Sequence, residues 1–189
     1  MKVFITRHGQ TEWNSLGRLQ GRKDIELNEV GKEQALITGE KIKDEKIDII
    51  ITSPLKRARE TAEIINKQFN VEIVEDDRLM ERCYGDFEGI TKVELKEKKI
   101  QYPEIDDAFN YLKNIDIFNM ETIQDLCARI YECLDEITTK YKDENVLIVT
   151  HGSSSIPIKC YFMKYPLENL VDREKIKGLE NCEVVEFEI

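Results

Sequence analysis

Two histidines occur in this chain of 189 residues, and each follows an apolar run and precedes a glycine: Ile5-Thr6-Arg7-His8-Gly9 and Val149-Thr150-His151-Gly152. In open α/β sheets ligands collect beyond the carboxyl ends of the strands, so both imidazoles are expected on one face despite their separation in sequence. A neutral imidazole is a nucleophile near neutral pH, and a second one can donate to an anion. Arg7 adjoins His8, and Arg57 lies in the first turn of a helical pattern after another apolar run. Guanidinium groups bind phosphate oxygens bidentately and helix N-termini add positive potential, so the pattern points to an anion site. Arg57 and Arg59 point about 200° apart around a helix, so only one can face a pocket, and Arg59 reads as a solvated charge. Metal chemistry has less support, because no H-E-x-x-H or D-x-H run and no third histidine completes a familiar ligand set.

The elements that must carry these groups are legible. Runs rich in β-branched residues at Val3 to Thr6, Ile47 to Thr52, Val71 to Val74, Val146 to Thr150 and Val184 to Ile189 predict five strands. Helical spacing appears over Ala35 to Ile42, through Leu55, Ala58, Ala62 and Ile65, from Ile123 to Ile137, and over Ile156 to Met163. Such alternation predicts an α/β three-layer sandwich, a mostly parallel central sheet flanked by helices. Ser53-Pro54 reads as a hydroxyl cap with proline at the first helical position, and Thr122 as the cap of the long helix before Tyr141. Residues 85–121 are the vaguest stretch and are expected to form a small helical insertion near the active site, within a single domain spanning 1–189.

Composition bounds the function. With 28 Lys and Arg against 38 Asp and Glu, the formal charge is −10, which disfavours nucleic-acid and anionic-membrane partners. Hydrophobic residues at 41% are too many for an acidic disordered segment. Three apolar residues near Met1 cannot form the core of a signal peptide, and five cysteines without a C-x-x-C pair suggest reduced thiols, so a cytoplasmic location is expected. Other nucleophiles and folds for phosphoryl chemistry fail on spacing. A cysteine nucleophile needs an arginine six positions later, where Gly89, Cys133, Thr139, Pro166 and Glu188 stand. No D-x-D-x-T or D-x-D-x-V run and no G-x-x-x-x-G-K-[ST] loop is present.

Thr6-Arg7-His8-Gly9 with Thr11 and Trp13-Asn14, then Ser53-Pro54-Leu55-Lys56-Arg57-Ala58, Glu81 before Tyr84-Gly85, and Thr150-His151-Gly152 together resemble the histidine phosphatase superfamily, of phosphoglycerate mutase-like fold. The resemblance runs through almost the whole chain. It implies a histidine acid phosphatase-type phosphoric monoester hydrolase that needs no metal or organic cofactor and acts on a small phosphorylated metabolite. His8 would take the phosphoryl group, Arg7, Arg57 and His151 would surround it, and Glu81 would be the general acid. Asn14, Gln20, Gly21 and Gly152 match positions near the phosphate. Arg22, Arg82 and Lys92 match places that hold the rest of the substrate, and read alone they are equally solvated cations. Oligomeric state stays open, a homo-oligomer included.

Glu81-Arg82-Cys83-Tyr84-Gly85 also stands close to the mutase form of the motif, in which histidine usually occupies the place of Cys83. Mutases add cations in the insertion, usually a pair of adjacent arginines, whereas here no arginine lies between Cys83 and Arg129. Ser153 also stands where mutases commonly have asparagine, and the chain is shorter than theirs. Phosphatase is therefore the first reading, phosphoglycerate mutase the alternative, and a non-catalytic module binding phosphorylated ligands the second alternative.

Overall fold

A computed structural model describes residues 1–108, 118–166 and 176–189. Among them five strands, β1 (Lys2–Arg7), β2 (Ile49–Thr52), β3 (Glu72–Glu75), β4 (Val146–Thr150) and β5 (Val184–Glu188), form one sheet in the order β3-β2-β4-β1-β5. The first four run parallel and β5 joins β1 antiparallel. The helices are α1 (Glu12–Ser15), α2 (Glu29–Ile42), α3 (Lys56–Asn66), α4 (Lys92–Gln101), α5 (Glu104–Ala108), α6 (Ile123–Lys140) and α7 (Ser155–Phe162).

Successive strand residues face opposite sides of a sheet, and that alternation sorts the core. Val3, Ile5, Ile49, Ile51, Val146 and Ile148 meet Leu126, Ile130, Leu134 and Ile137 of α6 and Ile158 of α7. Phe4, Ile50, Leu147 and Val149 face the other way, toward Ile42 of α2 and Ala58, Ala62 and Ile65 of α3. Both faces are covered, which is why these strands read as continuous apolar runs. Each such side chain contributes roughly 1.5–3 kcal/mol when fully buried. The expected three layers result. Among the described residues no helix is long and apolar enough to cross a membrane.

Helix boundaries follow their caps. Thr122 Oγ1 accepts the Asp125 N–H at 3.1 Å and starts α6 as expected. α2 reaches back beyond Ala35 to Glu29, because Asn28 Oδ1 accepts the Gly31 N–H at 2.9 Å and caps two polar turns that show no apolar periodicity. The expectation for Ser53-Pro54 is corrected: α3 begins at Lys56 with Leu55 at its N-cap. Ser53 N–H donates to the Val149 carbonyl at 3.1 Å, which carries the β2–β4 ladder one residue further and delays the helix. The Lys56 N–H is met instead by Asp24, at 2.8 Å.

Within 85–121 lie a 3-10 turn at Gly85–Phe87, α4 and α5. Phe87, Ile105 and Met120 cluster there with Tyr84. Phe118 packs edge-on against Phe87 and Tyr102, with ring centroids 4.9 and 6.5 Å away, so these aromatics anchor the segment. Phe109 and Tyr111 lie outside the described residues.

Candidate active site

Strand register brings the two histidines together. Arg7 is paired with Thr150, and Thr52 with Val149, so β1, β2 and β4 end within one residue of one another. The His8 N–H continues the ladder to the Thr150 carbonyl at 3.0 Å. His8, Ser53 and His151 are therefore the first residues beyond three adjacent strands, and the imidazole centroids lie 5.1 Å apart. Gly9 lets the helical layer close on this turn, since a Cβ there would strike the Gly31 carbonyl of α2.

Hydrogen-bond accounting assigns the ring protons. His8 is 2% exposed, and burial, followed by the charges of Arg57 and Arg7, holds its pKa well below 6.5. The neutral ring donates from Nδ1 to the Gly9 carbonyl at 2.7 Å, so Nε2 carries the free lone pair. His151 is fully buried, and burial with the Arg57 charge likewise depresses its pKa. Ser53 Oγ accepts the Leu55 N–H at 3.3 Å and lies 2.8 Å from His151 Nε2. Ser53 is fully buried and, among the described residues, Nε2 is the one acceptor in reach of its hydroxyl proton, so the serine donates to Nε2 and Nδ1 carries the His151 N–H.

These directions carry a stability prediction. Below pH 6.5 the unfolded chain binds protons that the two buried imidazoles refuse, so stability is lost as pH falls through that value toward the depressed pKa values. The slope approaches about 1.4 kcal/mol per pH unit for each group. Urea unfolding between pH 7 and 5, in phosphate-free buffer, should show a shallower loss for His151→Gln than for the unaltered chain. Identical slopes would contradict the assignment.

The arginines complete an anion cradle. Arg57, 0% exposed, donates from Nη1 to the Lys23 carbonyl and from Nη2 to the Gly21 carbonyl, both at 2.7 Å. Gly21 has φ +53°, the left-handed conformation that glycine adopts at little cost. Arg7 donates from Nη1 to the Leu179 carbonyl at 3.0 Å. Tied to these carbonyls, both guanidiniums keep their charge for a ligand. Burial lowers the Arg57 pKa to about 10, which leaves it cationic at pH 7. Arg7 Nε, Arg57 Nε and His151 Nδ1 are buried and have no hydrogen-bond partner among the described residues. An unpaired buried donor costs about 1–3 kcal/mol, which oxygens of a bound anion would offset.

A cavity of about 260 Å³ brings Arg7, His8, Asn14, Gln20, Gly21, Arg57, Glu81, Lys92 and Gly152 together. Asn14 Oδ1 accepts the Thr11 N–H at 3.1 Å, and Gln20 Oε1 accepts the Thr11 hydroxyl at 2.9 Å, so both amides keep their NH₂ groups for the cavity. The Glu81 carboxylate accepts from Ser154 N and Ser153 N, both at 3.1 Å, and from Arg82 N at 2.9 Å. Among the described residues, four cations (Arg7, Arg18, Arg57 and Lys92) and one acid line this cavity in a chain of net charge −10. At a screening length of about 8 Å, the surface acids weigh little here.

Three expected positions are not among the residues that line the cavity. His151 is fully buried beside His8 and keeps Nδ1 unpartnered among the described residues. Arg22 pairs with Glu121 at 3.2 Å, and Arg82 Nε donates to the Glu121 carbonyl at 2.8 Å; neither lines the cavity, because Glu121 draws both away. Arg59 faces Glu63 and Glu75 on the surface. Sequence reasoning missed Arg18 in the lining, the Tyr84–Ser153 hydroxyl contact at 2.5 Å, and Asn181, whose Nδ2 donates to the His8 carbonyl at 2.8 Å. Asn181 left no spacing signal, since only the return of the chain before β5 brings it there.

A sequence model of the histidine phosphatase superfamily (branch 1) matches residues 3–189. Over 152 residues the chain is 44% identical to the uncharacterized phosphatase PhoE of Bacillus subtilis, covering 80% of this chain and 72% of that protein. It is 34% identical over 186 residues to a phosphoglycerate mutase of Schizosaccharomyces pombe, covering 94% and 86% respectively. The solved structure of YhfR from Bacillus stearothermophilus superposes with a TM-score of 0.85 at 31% identity, covering all of this chain and 91% of that one.

Proposed function

The chain belongs to the histidine phosphatase superfamily, branch 1, and from that premise we propose that it hydrolyses small phosphomonoesters through a phosphohistidine on His8, without a metal. The observation that carries this reading is a cavity lined by Arg7, Arg57 and His8, in which the His8 Nε2 lone pair is free and buried nitrogens of Arg7, Arg57 and the adjacent His151 have no partner among the described residues. In the first step Glu81 enters as the protonated carboxyl group, His8 Nε2 attacks phosphorus, the P–O ester bond breaks, and the Glu81 proton passes to the leaving oxygen. The three donors and the Asn14 and Gln20 amides receive the equatorial oxygens, and the arginines supply the charge compensation that a metal gives in other phosphoryl-transfer sites. In the second step water attacks the phosphohistidine, Glu81 takes its proton, and the P–N electrons return to Nε2 with release of inorganic phosphate.

The test is a panel of phosphate esters turned over in excess chelator, with acid-labile, alkali-stable phosphoenzyme trapped by rapid quench. Retained turnover and a label on His8 are expected; loss of activity in chelator, restored by a divalent ion, would contradict the proposal. The similarity to a phosphoglycerate mutase over most of the chain supports a second reading. It requires transfer between the 2- and 3-positions of phosphoglycerate stimulated by a bisphosphate primer, and phosphate release without isomerisation would reject it.

A further inference from the structure

We propose that the ion pair of Glu121 and Arg129 is a positioning device for the proton-transferring carboxyl of Glu81. Arg129, on α6, holds Glu121 with two bonds, Nε to Oε1 at 2.6 Å and Nη2 to Oε2 at 2.9 Å. The same guanidinium donates from Nη1 to the Arg78 carbonyl and from Nη2 to the Glu81 carbonyl, the latter at 3.3 Å. Glu121 holds the other side of the loop. Its Oε2 accepts the Cys83 N–H at 3.2 Å, its own N–H donates to the Cys83 carbonyl at 3.0 Å, and its carbonyl accepts from Arg82. Arg78, Glu81, Arg82 and Cys83 are thus all bound to one pair whose side chains are only 9% and 15% exposed.

The carboxyl oxygens accept from the N–H groups of Ser153 and Ser154 and from the Arg82 N–H of the same loop. Glu81 is therefore fixed at its main chain by the ion pair, and at its oxygens by that loop together with the residues before α7. Neither Glu121 nor Arg129 lines the cavity, so the pair acts on the reaction through the loop it holds, and Arg129→Lys keeps the charge that also acts on His151. Proton transfer requires the donor within hydrogen-bond reach of the leaving oxygen, and a displacement of about 1 Å can cost on the order of 100-fold in rate. Binding of the phosphoryl group by Arg7, Arg57 and His151 does not depend on that distance. Lysine cannot reproduce a bidentate fork, which makes Arg129→Lys a mild but disruptive change.

The inference rests on Glu81 as proton donor, and the experiment separates the two. Arg129→Lys, Glu121→Gln and Glu81→Gln are compared on p-nitrophenyl phosphate, whose phenolate leaves without a proton, and on an alkyl phosphate that the unaltered protein hydrolyses. Vanadate affinity reports whether the phosphate site is intact. For Arg129→Lys and Glu121→Gln, kcat/KM on the alkyl ester, which reports departure of the leaving group, is expected to fall about 10-fold or more, with aryl kcat/KM and vanadate affinity nearly unchanged; hydrolysis of the shared phosphohistidine slows alike for both esters. Equal losses of kcat/KM on both esters, or no loss, would overturn the positioning role provided Glu81→Gln shows the selectivity. If Glu81→Gln shows none, the proton-donor reading fails first and takes the positioning role with it. Should one variant of the pair not fold, the other carries the comparison.

Discussion

His8→Ala is expected to lower turnover by roughly four orders of magnitude or more and to eliminate the trapped phosphoenzyme, because no other nucleophile replaces Nε2. His151 is the only other imidazole in the chain, and its Nε2 is occupied by the Ser53 hydroxyl. The substitution leaves the Arg7, Arg57 and His151 donors in place, so vanadate or phosphate should still bind. Stopped-flow and rapid-quench measurements on the variant, with vanadate titration in parallel, check both parts. Undiminished turnover would remove His8 from the mechanism, and loss of activity together with loss of anion binding would instead indicate a collapsed site.

Arg57→Ala is expected to reduce turnover by about 1,000-fold or more and to weaken vanadate binding, since a fixed guanidinium on the transferring group accounts for that order of rate in phosphoryl transfer. Its effect on folding is separable. The substitution empties a fully buried site and strips the Gly21 and Lys23 carbonyls of their donors, a loss of about 2–5 kcal/mol. Arg57→Lys should recover part of the stability and less of the rate, because one ammonium cannot bond two carbonyls and a phosphate oxygen in the same plane. A third readout follows from electrostatics. Arg57 helps depress the His8 pKa, so its removal raises that pKa and moves the acidic loss of activity to higher pH. Turnover within tenfold of the unaltered protein, at equal folded fraction, would reject Arg57 as a phosphate ligand.

The sequence alone determined the layers and the core of the site, because those are carried by local pattern. Continuous apolar runs and helical spacing depend on neighbours a few residues away, and the His-Gly pairs after β1 and β4 needed only the rule that ligands gather at strand ends. The separation of Arg57 from Arg59 needed only helix geometry, and the structure buries one and exposes the other. What tertiary structure decided is which polar groups are already occupied. Arg22 and Arg82 look like substrate cations in the chain, yet Glu121, distant in sequence, claims them. Ser53 looks like a helix cap, yet one further ladder bond turns its hydroxyl to His151. Asn181 and Leu179 reach His8 and Arg7 only because the segment before β5 folds over the strand ends. Hydrogen bonds are short-ranged and directional, so their partners are set by where distant segments meet, and residue type and spacing cannot report which nitrogens remain unpaired for a phosphate.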